Sequence, residues 1–329
     1  MVSSKYLGAM EEFNLKNIPD LDIAVLAALE LFFNKKIPEF NIPYKKPLIV
    51  GSGNAAATGK ILFNDKDAVF ADESDFEKKL SGIKNIDGVV LISSSGEKHS
   101  SKIVKISQKK YKKPIILITN TKNSSAEKNL DNNGKVYFFP KNREPYSYNV
   151  SSYLGMIFGK TKEDPEKIYK FIEKKISKIA LSKFYKYNKF YFLMPSEFKE
   201  LNRFFQIKFT ELFGRKIAKD IETFEQVKHA NTIVESNDEL FISFGNKKKL
   251  CGKNTLFIPL PKNASYASVF CIGYYIIGLI QKNHPPWFKK NLVNYTKKAS
   301  KIFNEKIEPI VEKTIWYYLL NKKQRTYKD

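Results

Sequence analysis

Apolar residues in this 329-residue chain gather in short unbroken runs rather than in strict alternation. PLIVG (47–51), AVFAD (68–72), GVVLISS (88–94), PIILITN (114–120) and VYFFP (136–140) are rich in β-branched and aromatic residues and are bounded by turn formers. Between them lie stretches with helical spacing: one from about Asn54, then ESDFEKKLSGI, KHSSKIVKISQKK and a short one after Ser124. Strands without a polar face, alternating with helices, predict a parallel sheet covered on both sides. The first half therefore reads as a doubly wound, flavodoxin-like α/β unit.

The pattern then restarts. A helical stretch from about Tyr148 to Leu181 leads to a strand at FYFLMP (190–195) and a long helix predicted over 196–221. Strands follow at ELFISFG (239–245) and TLFIPLP (255–261), then a helix over 265–283. The 14-residue apolar run inside that last helix, ASVFCIGYYIIGLI, is too short to cross a bilayer and predicts a buried core helix. The second half is thus a shorter architectural repeat of the first, without strong identity. The expected organisation is an N-terminal helical segment (1–46), a first α/β domain (47–160), a helical linker (161–184), a second, degenerate α/β domain (185–283) and a basic helical tail (284–329).

Composition narrows the class. A content of 43% apolar and 14% aromatic residues supplies two ordinary cores. No N-terminal segment has the form of a secretory signal, and Cys251 and Cys271 form neither a metal spacing nor a disulfide framework. A cytoplasmic protein without metal or cofactor is expected. The formal charge of +23 invites a nucleic-acid reading, but of 57 basic residues only Arg143, Arg203, Arg215 and Arg325 are arginines. Base readout and bidentate phosphate contacts favour the guanidinium fork. Scattered lysine is read as a solvated surface, with nucleic acid an unexpected partner.

Candidate chemistry sits at the strand ends. In an open parallel sheet, ligands bind beyond the carboxyl ends of the strands, where loops enter helix N-termini. Three such loops carry small and hydroxylic residues: GSGNAAATGK (51–60), LISSSGEKHSS (91–101) and TNTKNSSAEK (119–128). Backbone N–H groups, helix N-termini and hydroxyls together suit a phosphate. Helix capping alone accounts for a serine, but three serines and a glycine exceed what a cap needs.

These three segments, in this order and spacing, resemble the sugar isomerase (SIS) domain over about residues 47–160, with a degenerate second copy over about 185–283. The resemblance implies a tandem-domain phosphosugar isomerase, similar in layout to the archaeal phosphoglucose/phosphomannose isomerases and to the isomerase half of glucosamine-6-phosphate synthase. It implies that Ser93, Ser94, Ser95 and Ser124 hold a sugar phosphate, with Lys98 beside them where the family usually has threonine. Gly53, Asn54, His99 and Glu144 become candidate sugar contacts. Ala55, Asn149 and Val150 depart from the family pattern, each standing where a small hydroxyl is usual.

Moving a carbonyl between carbons 1 and 2 requires a base to carry a proton and a second group for ring opening. KFTELFGRKIAKDIETFEQVKHA (208–230) is similar to the family region that carries a glutamate on a helix and a later histidine from a neighbouring subunit. Glu211 and His229 match those positions, which implies a homodimer. The plainer readings are a surface ion pair of Glu211 with Lys208 and Arg215, a solvated loop for His229 and helix-surface exposure for His99. Lys313 is a candidate for ring opening by location only, and His284 reads as a turn residue. Three classes follow: an aldose–ketose isomerase or amino-sugar phosphate deaminase, a phosphosugar-binding sensor, and a lysine-rich nucleic-acid binder.

Overall fold

The computed structural model describes residues 4–33, 35–229, 233–247 and 252–314, apart from the side chain of Lys98. Two helices, α1 (Lys5–Glu12) and α2 (Leu21–Phe32), open the chain. The first α/β unit follows as β1 (Pro47–Val50), α3 (Asn54–Leu62), β2 (Val69–Ala71), α4 (Phe76–Gly82), β3 (Gly88–Ser93), α5 (Lys98–Lys109), β4 (Ile115–Thr119), α6 (Ser125–Lys128) and β5 (Lys135–Phe138). Its five strands are parallel in the order β2-β1-β3-β4-β5.

A two-residue strand, β6 (Glu144–Pro145), precedes α7 (Val150–Thr161), α8 (Pro165–Phe171) and the short α9 (Ser182–Tyr185). The second unit comprises β7 (Lys189–Met194), α10 (Asn202–Phe213), β8 (Ala218–Thr223), β9 (Glu239–Phe244), β10 (Thr255–Ile258) and α11 (Tyr266–Lys282). Its parallel order, β10-β9-β7-β8, reproduces the first sheet with one strand fewer. The chain closes with α12 (Trp287–Phe303) and β11 (Ile310–Val311), which pairs antiparallel with β6.

Alternating burial explains the unbroken apolar strands. Ile49, Val90, Ile92, Ile116 and Ile118 face a core shared with the second unit, whereas Leu48, Val50, Val89, Leu91, Ile115 and Leu117 face an outer core under α4, α5 and α6. Both faces are apolar because both are covered. In the second sheet Phe190, Phe192, Met194, Ile242 and Phe244 join the shared core, and Tyr191, Leu193, Phe224, Val227 and Phe241 make a small outer cluster. The predicted core helix is α11, buried from Tyr266 to Gln281. A Cβ at Gly278 would lie 2.2 Å from the backbone nitrogen of Asp22, so α2 can lie against α11 only where a side chain is missing. No helix among the described residues is long and apolar enough to cross a membrane.

Two elements differ from the sequence reading. The helix predicted over 196–221 is a 3₁₀ segment (Ser196–Leu201), then α10, then the strand β8. Gly214, at φ +60°, stops α10, as glycine does just past a helix end. In the tail, α12 ends at Phe303 and the chain returns as β11 to the first unit, so 304–314 is not helical. Cys251 and residues 315–329 lie outside the described residues.

Candidate functional site

The three small-residue loops meet at the carboxyl edge of the first sheet. Gly53 adopts φ +56° and ψ −121°, a conformation that L side chains rarely adopt, and turns the chain into α3. Neither α3 nor α5 receives a side-chain cap. The N–H groups of Ala55 and Ser100 turn back to the carbonyls of Ser52 (3.1 Å) and Glu97 (2.8 Å), and no side chain competes with an anion for the rest of either N-terminus. By contrast, Ser124 is 1% exposed and spends its hydroxyl on the N–H of Glu127, capping α6.

Within the serine loop, Ser93 accepts from the N–H of Gly96 at 3.1 Å and Ser95 from that of Glu97 at 3.4 Å. The Ser94 hydroxyl lies 3.5 Å from Ser152 Oγ on α7, so the loop touches the segment that leads to the second unit. Glu97 accepts from the backbone and hydroxyl of Ser125, tying this loop to the next. Gly96 is required here: a Cβ would run into Ser124 Oγ, and its φ is +67°. Asn54 is buried at the start of α3, and its Oδ1 has no partner among the described residues. His99 is exposed on α5.

Residues 144–152 join the loops to the second unit. Glu144 is buried, and its carboxylate accepts from the N–H groups of Val150 (2.9 Å) and Ser151 (2.7 Å). It thus caps α7 from a distance. Burial pushes its carboxyl up, opposed by these hydrogen bonds and by Lys208. Ser147 and Asn149 both have positive φ, +78° and +51°. Lys208, on α10, holds this strained turn: its ammonium donates to the carbonyls of Ser147 and, at 2.8 Å, Tyr148.

The same ammonium donates to Glu211 Oε2 at 2.7 Å. The ion pair anticipated for Glu211 exists, but it is not a surface pair: the side chains of Lys208 and Glu211 are 0% and 25% exposed. All three ammonium hydrogens are committed, and the Tyr274 ring lies 5.3 Å away. Desolvation pushes the Glu211 carboxyl above its ordinary range, with Lys208 pulling it back. Arg215, the other expected partner, makes no ion pair with it among the described residues. Glu211 borders a cavity of about 430 Å³ between α10 and α12, walled by Phe213, Trp287, Phe288 and Tyr295.

Other candidates fall elsewhere. His229 is exposed just after a 3₁₀ turn beyond β8, and no contact among the described residues brings it to Glu211 within one chain. Lys313 pairs with Glu11 at 2.7 Å. His284 is more than a turn residue, its ring lying between the carbonyls of Ile280 (2.8 Å) and Tyr187 (3.0 Å). Lys98 opens α5, but its side chain lies outside the described residues. Lys208 was missed as a site residue, yet the sequence carries the signal. It shares the apolar stripe of Phe204, Phe205, Phe209 and Leu212, and lysine on such a stripe must find partners inside.

No protein-family model and no curated protein matches the chain. Solved structures do. The tagatose-6-phosphate ketose/aldose isomerase from Escherichia coli superposes with a TM-score of 0.57 at 12% identity, over 87% of this chain and 91% of that one. The C-terminal domain of glucosamine-fructose-6-phosphate aminotransferase from Francisella tularensis gives 0.55 at 14%, over 84% and 96%. Glucosamine-6-phosphate deaminase from Thermotoga maritima gives 0.54 at 16%, over 84% and 93%. The chain has the two-subdomain fold of the SIS-domain phosphosugar isomerases.

Proposed function

We propose that the protein is a phosphosugar aldose–ketose isomerase, or an amino-sugar phosphate isomerase or deaminase, acting on a hexose 6-phosphate. The observation that carries this reading is the partly desolvated Glu211, held by a buried Lys208 that also fixes the turn into α7, whose Ser152 meets the serine loop. The N-termini of α3 and α5, which carry no side-chain cap, bind the phosphate with Ser93, Ser94, Ser95 and Lys98. Ser124 supports that edge by capping α6, and Gly53, Asn54, His99 and Glu144 border the sugar.

Glu211 takes a proton from the carbon next to the carbonyl and returns it to the neighbouring carbon of the enediolate. Its raised pKa favours that work near neutral pH. Ring opening falls to His229 of a second copy in a homodimer. His229 is exposed, and Ile233 and Val234, four and five positions later in the sequence, are 97% and 81% exposed, apolar surface that a second copy would cover. The test is proton NMR in deuterated water with glucose, fructose, mannose and glucosamine 6-phosphates in separate tubes. Solvent deuterium at carbon 1 or 2, lost in Glu211→Gln, supports catalysis.

A second reading, a non-catalytic phosphosugar sensor, is favoured by the missing hydroxyls at Ala55, Asn149 and Val150 and by the lack of a contact between His229 and Glu211 within one chain. In the same tubes it gives line broadening without turnover. Binding to nucleic acid with a steep salt dependence that sugar phosphates do not relieve counts against both readings.

A further inference from the structure

One side of α12 packs on the molecule through Phe288, Leu292, Thr296 and Ala299, spaced three or four apart. The helix contains no acidic residue. Of its lysines, Lys289 pairs with Asp20 at 2.8 Å, whereas Lys290, Lys297, Lys298 and Lys301 are exposed and make no ion pair among the described residues. Lys290, Lys297 and Lys301 stand at i, i+7 and i+11, which stacks them in one outward row about 17 Å long, with Lys298 at its border. Val293 lies exposed beside the row. Ile302 and Phe303, 78% and 52% exposed, end the helix just past Lys301.

A row of unpaired ammonium groups is complementary to a surface dense in phosphate, whether nucleic acid or lipid headgroups. The exposed apolar side chains decide between the two. Ile302 and Phe303 gain nothing against a phosphate backbone, but they leave water when they enter the boundary between headgroups and acyl chains. The absence of arginine from α12 agrees, since base readout uses the guanidinium fork and a diffuse headgroup charge needs only point charges. We infer that the outer face of α12 docks on an anionic phospholipid surface, with Lys290, Lys297, Lys298 and Lys301 on the headgroups and Ile302 and Phe303 dipping below them. The protein then lies on the bilayer and does not cross it. The cavity beside Glu211 opens on a different side of the same helix, lined there by Asn291, Leu292 and Tyr295, so docking leaves it uncovered.

The test is co-sedimentation of the full-length protein with vesicles of phosphatidylcholine alone and of equal parts phosphatidylcholine and phosphatidylglycerol. Binding to the mixed vesicles only, released by high salt, is expected. Each lysine near such a surface is worth about fivefold in partitioning, so Lys290→Gln, Lys297→Gln and Lys301→Gln together weaken it about 100-fold. The control removes the same net charge from α5, where Lys102, Lys105 and Lys109 are also exposed. Changing these three to Gln costs less than about fivefold if α12 is the docking face. Ile302→Asn, which alters no charge, weakens binding about tenfold. All these positions are exposed, and unchanged circular dichroism melting shows that the variants fold. Equal losses from the two triple variants overturn the inference, because net charge then explains the binding. No binding to the mixed vesicles, or equal binding to the neutral ones, overturns it as well. Single-stranded RNA bound through the α12 lysines, with affinity unaffected by Ile302→Asn and with no vesicle binding, assigns the row to nucleic acid instead.

Discussion

The two sheets share a strand order, 2-1-3-4 in the second and 2-1-3-4-5 in the first, but their carboxyl edges differ. The first ends in Gly51–Ser52–Gly53 and Ser93–Ser94–Ser95–Gly96, which give their helices no side-chain cap, and in Asn123–Ser124–Ser125, where Ser124 caps α6. The second ends in Pro195–Ser196–Glu197, Phe224–Glu225, Gly245–Asn246–Lys247 and Pro259–Leu260–Pro261, with proline or glutamate at three of its four loops. Prolines have no N–H to offer, and glutamates repel a phosphate. The proposed phosphate cradle therefore belongs to the first copy, whose loops after β1 and β3 are the richer in small hydroxyls and glycine. What the second copy contributes comes from its first helix, α10, which carries Lys208 and Glu211 toward the first unit.

The largest expected effect separates these roles. Glu211→Gln lowers solvent-deuterium exchange into the sugar by about 100-fold to 10,000-fold while sugar phosphate affinity is kept. Exchange that persists at the natural rate would place the base elsewhere. Next is Lys208→Met. It strands the carbonyls of Ser147 and Tyr148 and leaves Glu211 unpaired, so urea unfolding should show a loss of about 3–5 kcal/mol. A loss under about 1 kcal/mol is what an exposed pair would give, and would contradict the buried geometry.

Smaller effects sharpen the contrast between the two edges. Ser94→Ala weakens inorganic phosphate and sugar phosphate alike by about tenfold, the worth of one hydrogen bond to a charged group. Ser196→Ala, in the loop after β7, the second sheet's counterpart of β1, leaves both affinities unchanged. Equal losses would mean that both edges bind. The acidic limb of the rate profile should lie above 4.5, the ordinary glutamate value, because the ionised Glu211 is the active form and burial raises its pKa. Removing the lysine that opposes this shift moves the limb higher still, which initial rates of Lys208→Met against pH will show. Smallest is Glu144→Ala, which uncaps α7 at a cost of about 1 kcal/mol in thermal or urea unfolding.

Runs such as GVVLISS and PIILITN, apolar at every position, announced strands buried on both faces, and the serine loops were readable beyond them. The missed strand β8 was legible too. Gly214 marks the helix end, and Ile217 and Ile221 are buried while Ala218 and Asp220 are exposed, the mixed pattern of an edge strand. What hides the strand is that the helical period of α10 continues by chance into RKIAKDI. Nothing local shows that Glu144 caps a helix six residues on, or that Lys208 reaches two carbonyls some 60 residues away.

By itself, then, the sequence determined the two parallel sheets, the buried helix α11 and the phosphate-suited loops, since each follows from the local period of apolar residues or from backbone chemistry within one turn. The tertiary structure decided that Lys208 is a buried clamp rather than a surface partner. It also decided that Glu211 faces an aromatic cavity made by α12 and that Ser124 caps α6. Those outcomes depend on which distant surfaces exclude water from a charge, and burial of that kind is a property of the packed chain, not of any segment of it.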